Sequence, residues 1–196
     1  RMLTAFWKST RTAMRELALN VMDVAQNSIS AGASLIQLTV EEDSRADRLS
    51  ITLEDNGCGM TEEQVKSVVD PFYTTRTTRK VGLGVPLFKM EAEMTGGSFA
   101  IRSQKGKGTV LTAVFVPSHV DMIPLGDIGG TVHLLITSNP ERDFVFRRRR
   151  DGAEFALDTR ELRQVLGESV PLNAPEVSQW IQGFLEEQTA LLEGGN

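Results

Sequence analysis

The chain has 196 residues, the length of one ordinary domain with room for a small addition. Its apolar content of 40%, charged content of 24% and net charge of −5 are typical of a globular protein, and they argue against nonspecific nucleic-acid binding as the main task. A single cysteine excludes an internal disulfide. No apolar run approaches the roughly 18 residues of a membrane span and no secretory signal is visible, so we expect a cytoplasmic protein without membrane association.

The chain opens with a predicted helix and two predicted strands. Apolar residues at helical spacing predict a long helix over residues 12–31, which Gly32 ends. Alternating and β-branched residues predict strands over 34–40 and 48–53. The acidic segment 41–47 between them is typical of a solvated, hairpin-like connection.

The middle of the chain continues the pattern of helices and strands. Thr61 and Gln64 form a capping-box pattern that predicts a short helix ending before Pro71. A further helix and two alternating strands are predicted over 85–94, 98–103 and 109–117. This order of helices and strands indicates an α+β two-layer sandwich, with an antiparallel-rich sheet covered by helices on one face.

After Pro117 the character of the sequence changes. We predict that residues 1–118 form one domain and that 119–196 form a small α+β appendage that serves partner binding. The predicted elements of this appendage are a helix, a hairpin on an Asp-Gly turn and two more helices, over residues 127–137, 143–158, 159–167 and 174–192.

Four consecutive arginines, Arg147 to Arg150, lie in the predicted hairpin. On a strand they would project two from each face. One such face suits an acidic partner or nucleic acid. The interpretation that we favour is a solvated edge strand whose charges resist aggregation.

Asp23 and Asn27 are four residues apart and therefore share one face of the predicted helix. The amide oxygen of Asn27 can ligate a Mg²⁺ ion that bridges phosphate oxygens. The carboxylate of Asp23 can orient or deprotonate a water or a hydroxyl group. Taken alone, the pair is more typical of two polar residues on a solvated helix.

The segment Asp55-Asn-Gly-Cys-Gly-Met60 follows the second predicted strand. A buried carboxylate at a strand end can accept a hydrogen bond from the exocyclic amine of adenine, and the glycines allow the backbone to approach the ring. An ordinary Asp-Asn-Gly turn also explains this segment on local grounds.

Three later segments contain groups suited to phosphates. Asp70-Pro-Phe-Tyr-Thr-Thr-Arg76 begins a stretch of hydroxyls and cations that suits a lid over a triphosphate or an ordinary surface loop. Val81-Gly-Leu-Gly-Val85 leads into a helix whose first amides can hold phosphate. Gly106-Lys-Gly-Thr109 alone predicts only a hairpin turn.

Together and in this order, the five motifs resemble the GHKL superfamily of DNA gyrase, Hsp90, histidine kinases and MutL, which share the Bergerat ATP-binding fold. The stretch Asn27-Ser-Ile-Ser-Ala-Gly-Ala33 is especially similar to the MutL-like form of the first motif. The resemblance covers residues 12–118. It implies a mixed, mostly antiparallel sheet with ATP between the helices and a lid.

The resemblance also implies roles for individual residues. Asp23 stands at the position of the catalytic base, which is often Glu in hydrolysing members and often Asn in histidine kinases. Asn27 is the implied Mg²⁺ ligand, and Lys80 replaces the usual first glycine of the later motif. The implied nucleotide contacts are Asn27, Asp55, Gly57, Gly59, Met60, Thr74, Thr75, Arg76, Lys80, Gly82, Leu83, Gly84, Val85 and Thr109.

The resemblance leaves three functions open for the bound Mg-ATP. The one that we favour is a stand-alone signalling kinase that passes the γ-phosphoryl group to a Ser, Thr or His of a partner protein, as in anti-sigma-factor kinases. The alternatives are a nucleotide-sensing subunit without turnover and a conformational ATPase of the MutL or Hsp90 type. The two histidines, His119 and His133, both follow the motifs, which argues against a self-contained sensor histidine kinase.

Two further expectations concern packing. Cys58, inside the first glycine motif, is expected to be a small buried thiol, with a redox-sensitive pocket as the alternative. Leu3, Phe6 and Trp7 suit packing either across a homodimer or back onto the same chain.

Overall fold

The structure of the protein, a computed structural model, describes residues 16–72, 83–167 and 169–194. This part of the chain contains six helices and six strands. In chain order they are α1 (Leu17–Ser30), β1 (Leu35–Asp43), β2 (Arg48–Asp55), α2 (Glu62–Val68), α3 (Gly84–Met94), β3 (Ser98–Gln104), β4 (Gly108–Phe115), α4 (Ile128–Ser138), β5 (Asp143–Arg150), β6 (Ala153–Asp158), α5 (Thr159–Leu166) and α6 (Pro175–Gly194).

Two helix boundaries lie where the local sequence predicts them. Gly32 adopts a φ of +75°, a conformation that favours glycine, just after α1 ends. At the start of α2, Thr61 accepts a hydrogen bond from the backbone of Gln64 and the Gln64 side chain accepts one from the backbone of Thr61. This reciprocal capping box fixes where α2 begins. The predicted start of α1 at residue 12 lies outside the described residues.

The six strands form one sheet in the order β3-β4-β2-β1-β5-β6. Four of the five neighbouring pairs are antiparallel, and β1 with β5 is the parallel pair. The sheet is therefore mixed and mostly antiparallel, which confirms the predicted fold class.

The core lies on one face of this sheet because apolar residues alternate along the strands. Leu38 of β1 lies opposite Leu53 of β2 on one side and Phe146 of β5 on the other, and all three are buried. Helices α1, α3 and α4 supply the second layer of the same core. The opposite face carries small polar residues, among them Thr52 and Thr112, whose hydroxyl oxygens are 3.2 Å apart.

The C-terminal residues complete this sheet. Strand β5 adds beside β1, and β6 adds beside β5 as the edge strand. Ile128 of α4 and Ile181 of α6 belong to the same core cluster as the residues of α1 and β1. The boundary predicted at residue 118 therefore does not separate two cores, because the parallel pairing of β5 with β1 unites both parts.

The interpretation of the arginine run as a solvated edge strand was wrong, because β6 occupies the edge and places β5 inside the sheet. The Arg148 side chain is only 3% exposed, and its guanidinium lies 2.8 Å from Glu42 and 3.0 Å from Glu193. Arg149 lies on the other face, where it pairs with Glu154 at 2.7 Å and Glu41 at 3.4 Å. The run thus joins β1, β5, β6 and α6.

None of the helices in residues 16–72, 83–167 and 169–194 combines the length and the apolar character that crossing a bilayer requires.

Candidate nucleotide site

One face of α1 carries the two polar residues predicted from the first motif. Asp23 lies at the surface, yet the surrounding protein removes part of its hydration and raises the pKa of its carboxyl group. Asn27 is half-buried, and its side-chain nitrogen is buried without a hydrogen-bond partner among the described residues. A buried N–H donor without a partner is costly, which favours a hydrogen-bond acceptor, such as a phosphate oxygen, beside this nitrogen.

Asp55 lies at the end of β2 with 8% of its surface exposed. The Ser28 hydroxyl of α1 donates a hydrogen bond of 2.6 Å to Oδ2, and the backbone N–H of Gly57 donates one of 2.9 Å to Oδ1. These two donors fix the orientation of the carboxylate and leave lone pairs free on both oxygens. A further donor, such as the exocyclic amine of adenine, fits this group.

The loop after β2 needs its glycines. A Cβ atom on Gly57 would lie 2.9 Å from the Cβ of Ala31, and one on Gly59 would lie 2.0 Å from the carbonyl oxygen of Gln104. Gly59 also has a φ of +65°. The loop is therefore pressed between the end of α1 and the β3–β4 hairpin, and its backbone lines the site closely.

Met60 and Thr109 are brought together through a residue that the motifs did not indicate. The backbone N–H of Met60 donates a hydrogen bond of 2.8 Å to the hydroxyl of Ser103, which is 2.8 Å from the hydroxyl of Thr109. Ser103 and Thr109 are direct partners in the β3–β4 register. This hydroxyl pair fastens the last motif to the loop that begins at Asp55.

The beginning of α3 lies against Asp23. A Cβ atom on Gly84 would be 2.7 Å from the Cβ of Asp23, so only glycine allows this approach. Leu83 is the N-cap residue, and Gly84 and Val85 are buried in the first turn. The free amide groups of a helix N-terminus favour an anion, so this is where a phosphate would be held.

Several predicted contacts lie outside the described residues. They are Thr74, Thr75, Arg76, Lys80 and Gly82. The expected packing of Leu3, Phe6 and Trp7 also lies outside them. These assignments stay predictions.

The described residues fit a magnesium-bound nucleotide. Within residues 16–72, 83–167 and 169–194, no three His, Cys, Asp or Glu side chains cluster in a way that could hold a metal. A Mg²⁺ ion held by the Asn27 oxygen would take its other ligands from phosphate and water, as is usual for this ion. Asn27 would hold the ion and Asp55 the base.

Ser28 and Ser103 are the site residues that the motif reading did not assign. Ser28 directly follows Asn27. A serine on the inner face of a helix does not by itself indicate a binding residue, because its partner Asp55 is known only from the fold. Ser103 lies where the β3–β4 register places it opposite Thr109, so the predicted hairpin around Gly106 could have indicated it. The expectation of a buried Cys58 was wrong, because its thiol is exposed while its backbone bonds to Ala31 and Gly106.

A cavity in the described part of the chain lies away from this site. It has a volume of about 510 Å³ and lies at the far ends of β1, β2 and β5, where Glu42, Arg48, His119 and Asp151 line it. None of the predicted site residues that the structure describes borders it. The glycine contacts and hydrogen bonds, rather than cavity volume, define the candidate site.

The arrangement can be compared with known proteins. The family model for "Histidine kinase-, DNA gyrase B-, and HSP90-like ATPase" matches residues 9–119, more than half of the chain. The chain belongs to this family. The predicted superfamily is thereby confirmed, and residues 9–119 form the ATP-binding domain that histidine kinases, DNA gyrase B and HSP90 share.

Curated relatives within this ATPase family are larger proteins. Sensor histidine kinase ZraS of Salmonella typhi is 32% identical over 93 residues, which are 47% of this chain and 20% of that protein. Sporulation kinase E of Bacillus subtilis (strain 168) is 42% identical over 64 residues, which are 33% of this chain and 8% of that protein. The chain thus spans a fifth or less of the length of these relatives.

A solved structure described as the N-terminal domain of a DNA repair protein is similar in fold. Its TM-score is 0.53 at 14% sequence identity, and the match covers 82% of this chain and 59% of that one. At this identity the likeness concerns the fold alone. It extends well past residue 118, in agreement with the continuous sheet.

Proposed function

We propose that the chain binds Mg-ATP and acts as a stand-alone protein kinase that transfers the γ-phosphoryl group to a Ser, Thr or His of a partner protein. One observation carries this proposal. Helix α1 places Ser28 against Asp55 and, one to two turns earlier, Asp23 against the first turn of α3. The same helix therefore borders the position proposed for the adenine ring near its C-terminal end and the position proposed for the phosphates one to two turns earlier.

At the base end, the fixed carboxylate of Asp55 distinguishes adenine from guanine. The donors Ser28 and Gly57 hold Asp55 as an acceptor for a further N–H group. Adenine offers an exocyclic amine at the position where guanine offers a carbonyl oxygen. A carboxylate facing that oxygen would be repelled, so ATP is preferred to GTP.

At the phosphate end, the amide groups of Gly84 and Val85 would hold the phosphates, and Asn27 would hold a magnesium ion that neutralises their charge. The close contact of Gly84 with Asp23 keeps the carboxylate beside this position. The bound ion supplies charge stabilisation for phosphoryl transfer.

Asp23 is the proposed general base. Its carboxylate takes the proton from the acceptor hydroxyl or imidazole N–H, and the acceptor atom forms a bond to the γ-phosphorus. The bond from that phosphorus to the oxygen bridging the β- and γ-phosphates breaks, and ADP leaves. The raised pKa of Asp23 increases its affinity for this proton.

The acceptor is proposed to belong to another protein. The relatives named above are a sensor histidine kinase and a sporulation kinase. In this chain the Nε2 atom of His133 lies 2.9 Å from the hydroxyl of Ser178, between α4 and α6. His119 lines the distant cavity rather than the candidate site.

The test uses γ-labelled ATP with the full chain and with Asp23→Asn. We expect label to reach a partner protein in an extract of the source cells, and we expect Asp23→Asn to bind ATP normally but to lose transfer to a hydroxyl acceptor. Release of ADP and phosphate without a labelled partner, lost in Asp23→Asn, would show a conformational ATPase instead. Binding without turnover in either form would show a nucleotide sensor, and equal transfer by both forms would contradict the role of Asp23.

A further inference from the structure

A buried acidic side chain joins the two helices that carry the candidate site. Glu91 of α3 is 6% exposed and Asn20 of α1 is fully buried. The side-chain nitrogen of Asn20 donates a hydrogen bond to Oε2 of Glu91. The motifs assigned no role to either residue, and the two are 71 positions apart in the chain.

If Glu91 carries a charge, one buried polar atom of this pair has no hydrogen bond. An ionised carboxylate only accepts, so it cannot satisfy the Asn20 side-chain oxygen, which is buried and has no partner in the described part of the chain. A protonated Glu91 has one O–H group to donate. Acid and amide can then form two reciprocal hydrogen bonds, and both buried polar groups are satisfied.

The surroundings of Glu91 also favour the neutral form. On the sheet below α3, the inward side chains of β3 and β4 are apolar, and they include Phe99, Ile101, Leu111 and Phe115. From α1, the nearest ionisable group along the helix is the acidic Asp23. On α3 itself, Lys89 lies 4.0 Å from Glu93 at the surface.

No cation in residues 16–72, 83–167 and 169–194 forms an ion pair with Glu91. Burial raises the pKa of Glu91 to about 7, and the hydrogen bond from Asn20 opposes this only in part. The geometry and the lack of a counter-charge thus agree on a neutral carboxyl group below neutral pH.

We propose that Glu91 is a positioning residue for the nucleotide site: as a neutral acid it holds α1 to α3, and its ionisation loosens the two helices and weakens ATP binding. This inference rests on the proposed function. The connection to the site is short, because Asn20 is three residues before Asp23 on α1 and Gly84 opens the helix that carries Glu91. A shift at the pair changes the fit of Gly84 against Asp23, which tolerates no added atom.

The test is calorimetric titration of Mg-ATP into the full chain between pH 6.0 and 8.5. Glu91→Gln is the informative variant, because glutamine is neutral at every pH and can form the same two hydrogen bonds with Asn20. Glu93→Gln, on the exposed face of the same helix, is the matched control. As the pH rises through this range, the affinity of wild type and of Glu93→Gln for ATP should fall about fivefold or more relative to that of Glu91→Gln.

A second measurement does not depend on any variant. In wild-type protein labelled with ¹³C at the glutamate carboxyl carbon, one resonance should titrate near pH 7. Parallel pH profiles for wild type and Glu91→Gln, or titration of all glutamates below pH 6, would overturn the inference. Absence of ATP binding at every pH would instead contradict the proposed function, so the two failures are distinguishable.

Discussion

The motif-bearing part of the chain, residues 16–118, and the C-terminal part, residues 119–194, share one sheet but are held by different contacts. In the first part, polar groups and glycines meet where the chain reverses, as in the bond from Ser28 to Asp55 and the contact of Gly59 with Gln104. These arrangements leave acceptors and amides open to a ligand.

In the C-terminal part the side chains mainly satisfy one another. Arg148 pairs with carboxylates of β1 and α6. An aromatic series joins β5, β6 and α6, with ring centroids 5.8, 6.3 and 5.2 Å apart along Phe146, Phe155, Phe184 and Trp180. We therefore expect substitutions of the groups left open to a ligand in the first part to alter binding, and substitutions of the paired groups in the second part to alter stability.

The largest expected effect is on binding. Asp55→Asn should weaken ATP binding by about 100-fold or more, because the amide offers a donor toward the adenine amine and loses the charge. The melting temperature should change little, since Ser28 can rotate its hydroxyl to suit the amide. Calorimetry with Glu54→Gln, the exposed neighbour on β2, provides the control. Normal ATP affinity in Asp55→Asn would show that the pocket assignment is wrong.

The counterpart in the C-terminal part is a loss of stability without a loss of binding. Arg148→Met should lower the free energy of unfolding by about 2 kcal/mol, since it removes the charged hydrogen bonds to Glu42 and Glu193 and leaves Glu42 only its pair with Arg150 at 3.6 Å. Arg149→Met, on the solvated face, should lower it much less, because exposed ion pairs are screened by water. Urea unfolding measures both. A lower affinity of Arg148→Met for ATP would contradict the claim that the paired groups of the C-terminal part affect stability and not binding.

The pH dependence of stability sharpens the comparison. The pKa of Glu91 is raised from 4.5 to about 7 in the folded protein, so its contribution to stability is fully present below pH 4.5 and is lost as the pH rises through about 7. Between pH 5 and 7.5 the wild type should lose about 2 kcal/mol relative to Glu91→Gln. Equal slopes of unfolding free energy against pH in the two proteins would contradict this linkage.

The smallest effect concerns a local cap. Thr61→Ala removes the side chain that accepts the Gln64 N–H at the start of α2 and should cost about 1 kcal/mol. Thr61→Ser, which keeps the hydroxyl, should restore most of this. If thermal unfolding shows the same loss for both variants, the capping box is not the cause.

Local signals in the sequence were sufficient for much of the fold. The Asp-Gly turn predicted the hairpin of β5 and β6, and Gly32 and Thr61 predicted the ends of helices, because these roles depend on neighbouring residues alone. The alternation along β1 and β2 likewise predicted a sheet with one buried face.

Features that depend on distant pairing were not predictable in this way. The burial of Arg148 requires β5 to lie parallel to β1, and no local pattern specifies that pairing. The pair of Asn20 and Glu91 joins two helices far apart in the chain. The exposed thiol of Cys58 similarly depends on how the loop sits against Ala31 and the β3–β4 hairpin.

The most direct test of the central claim is calorimetric titration of the full chain with Mg-ATP and, separately, with Mg-GTP. We predict saturable binding of ATP at one site and binding of GTP at least about tenfold weaker, because the fixed Asp55 carboxylate accepts the amine of adenine and repels the oxygen of guanine. No binding of ATP would contradict the nucleotide site. Equal affinity for the two nucleotides would contradict the role of Asp55 in reading the base.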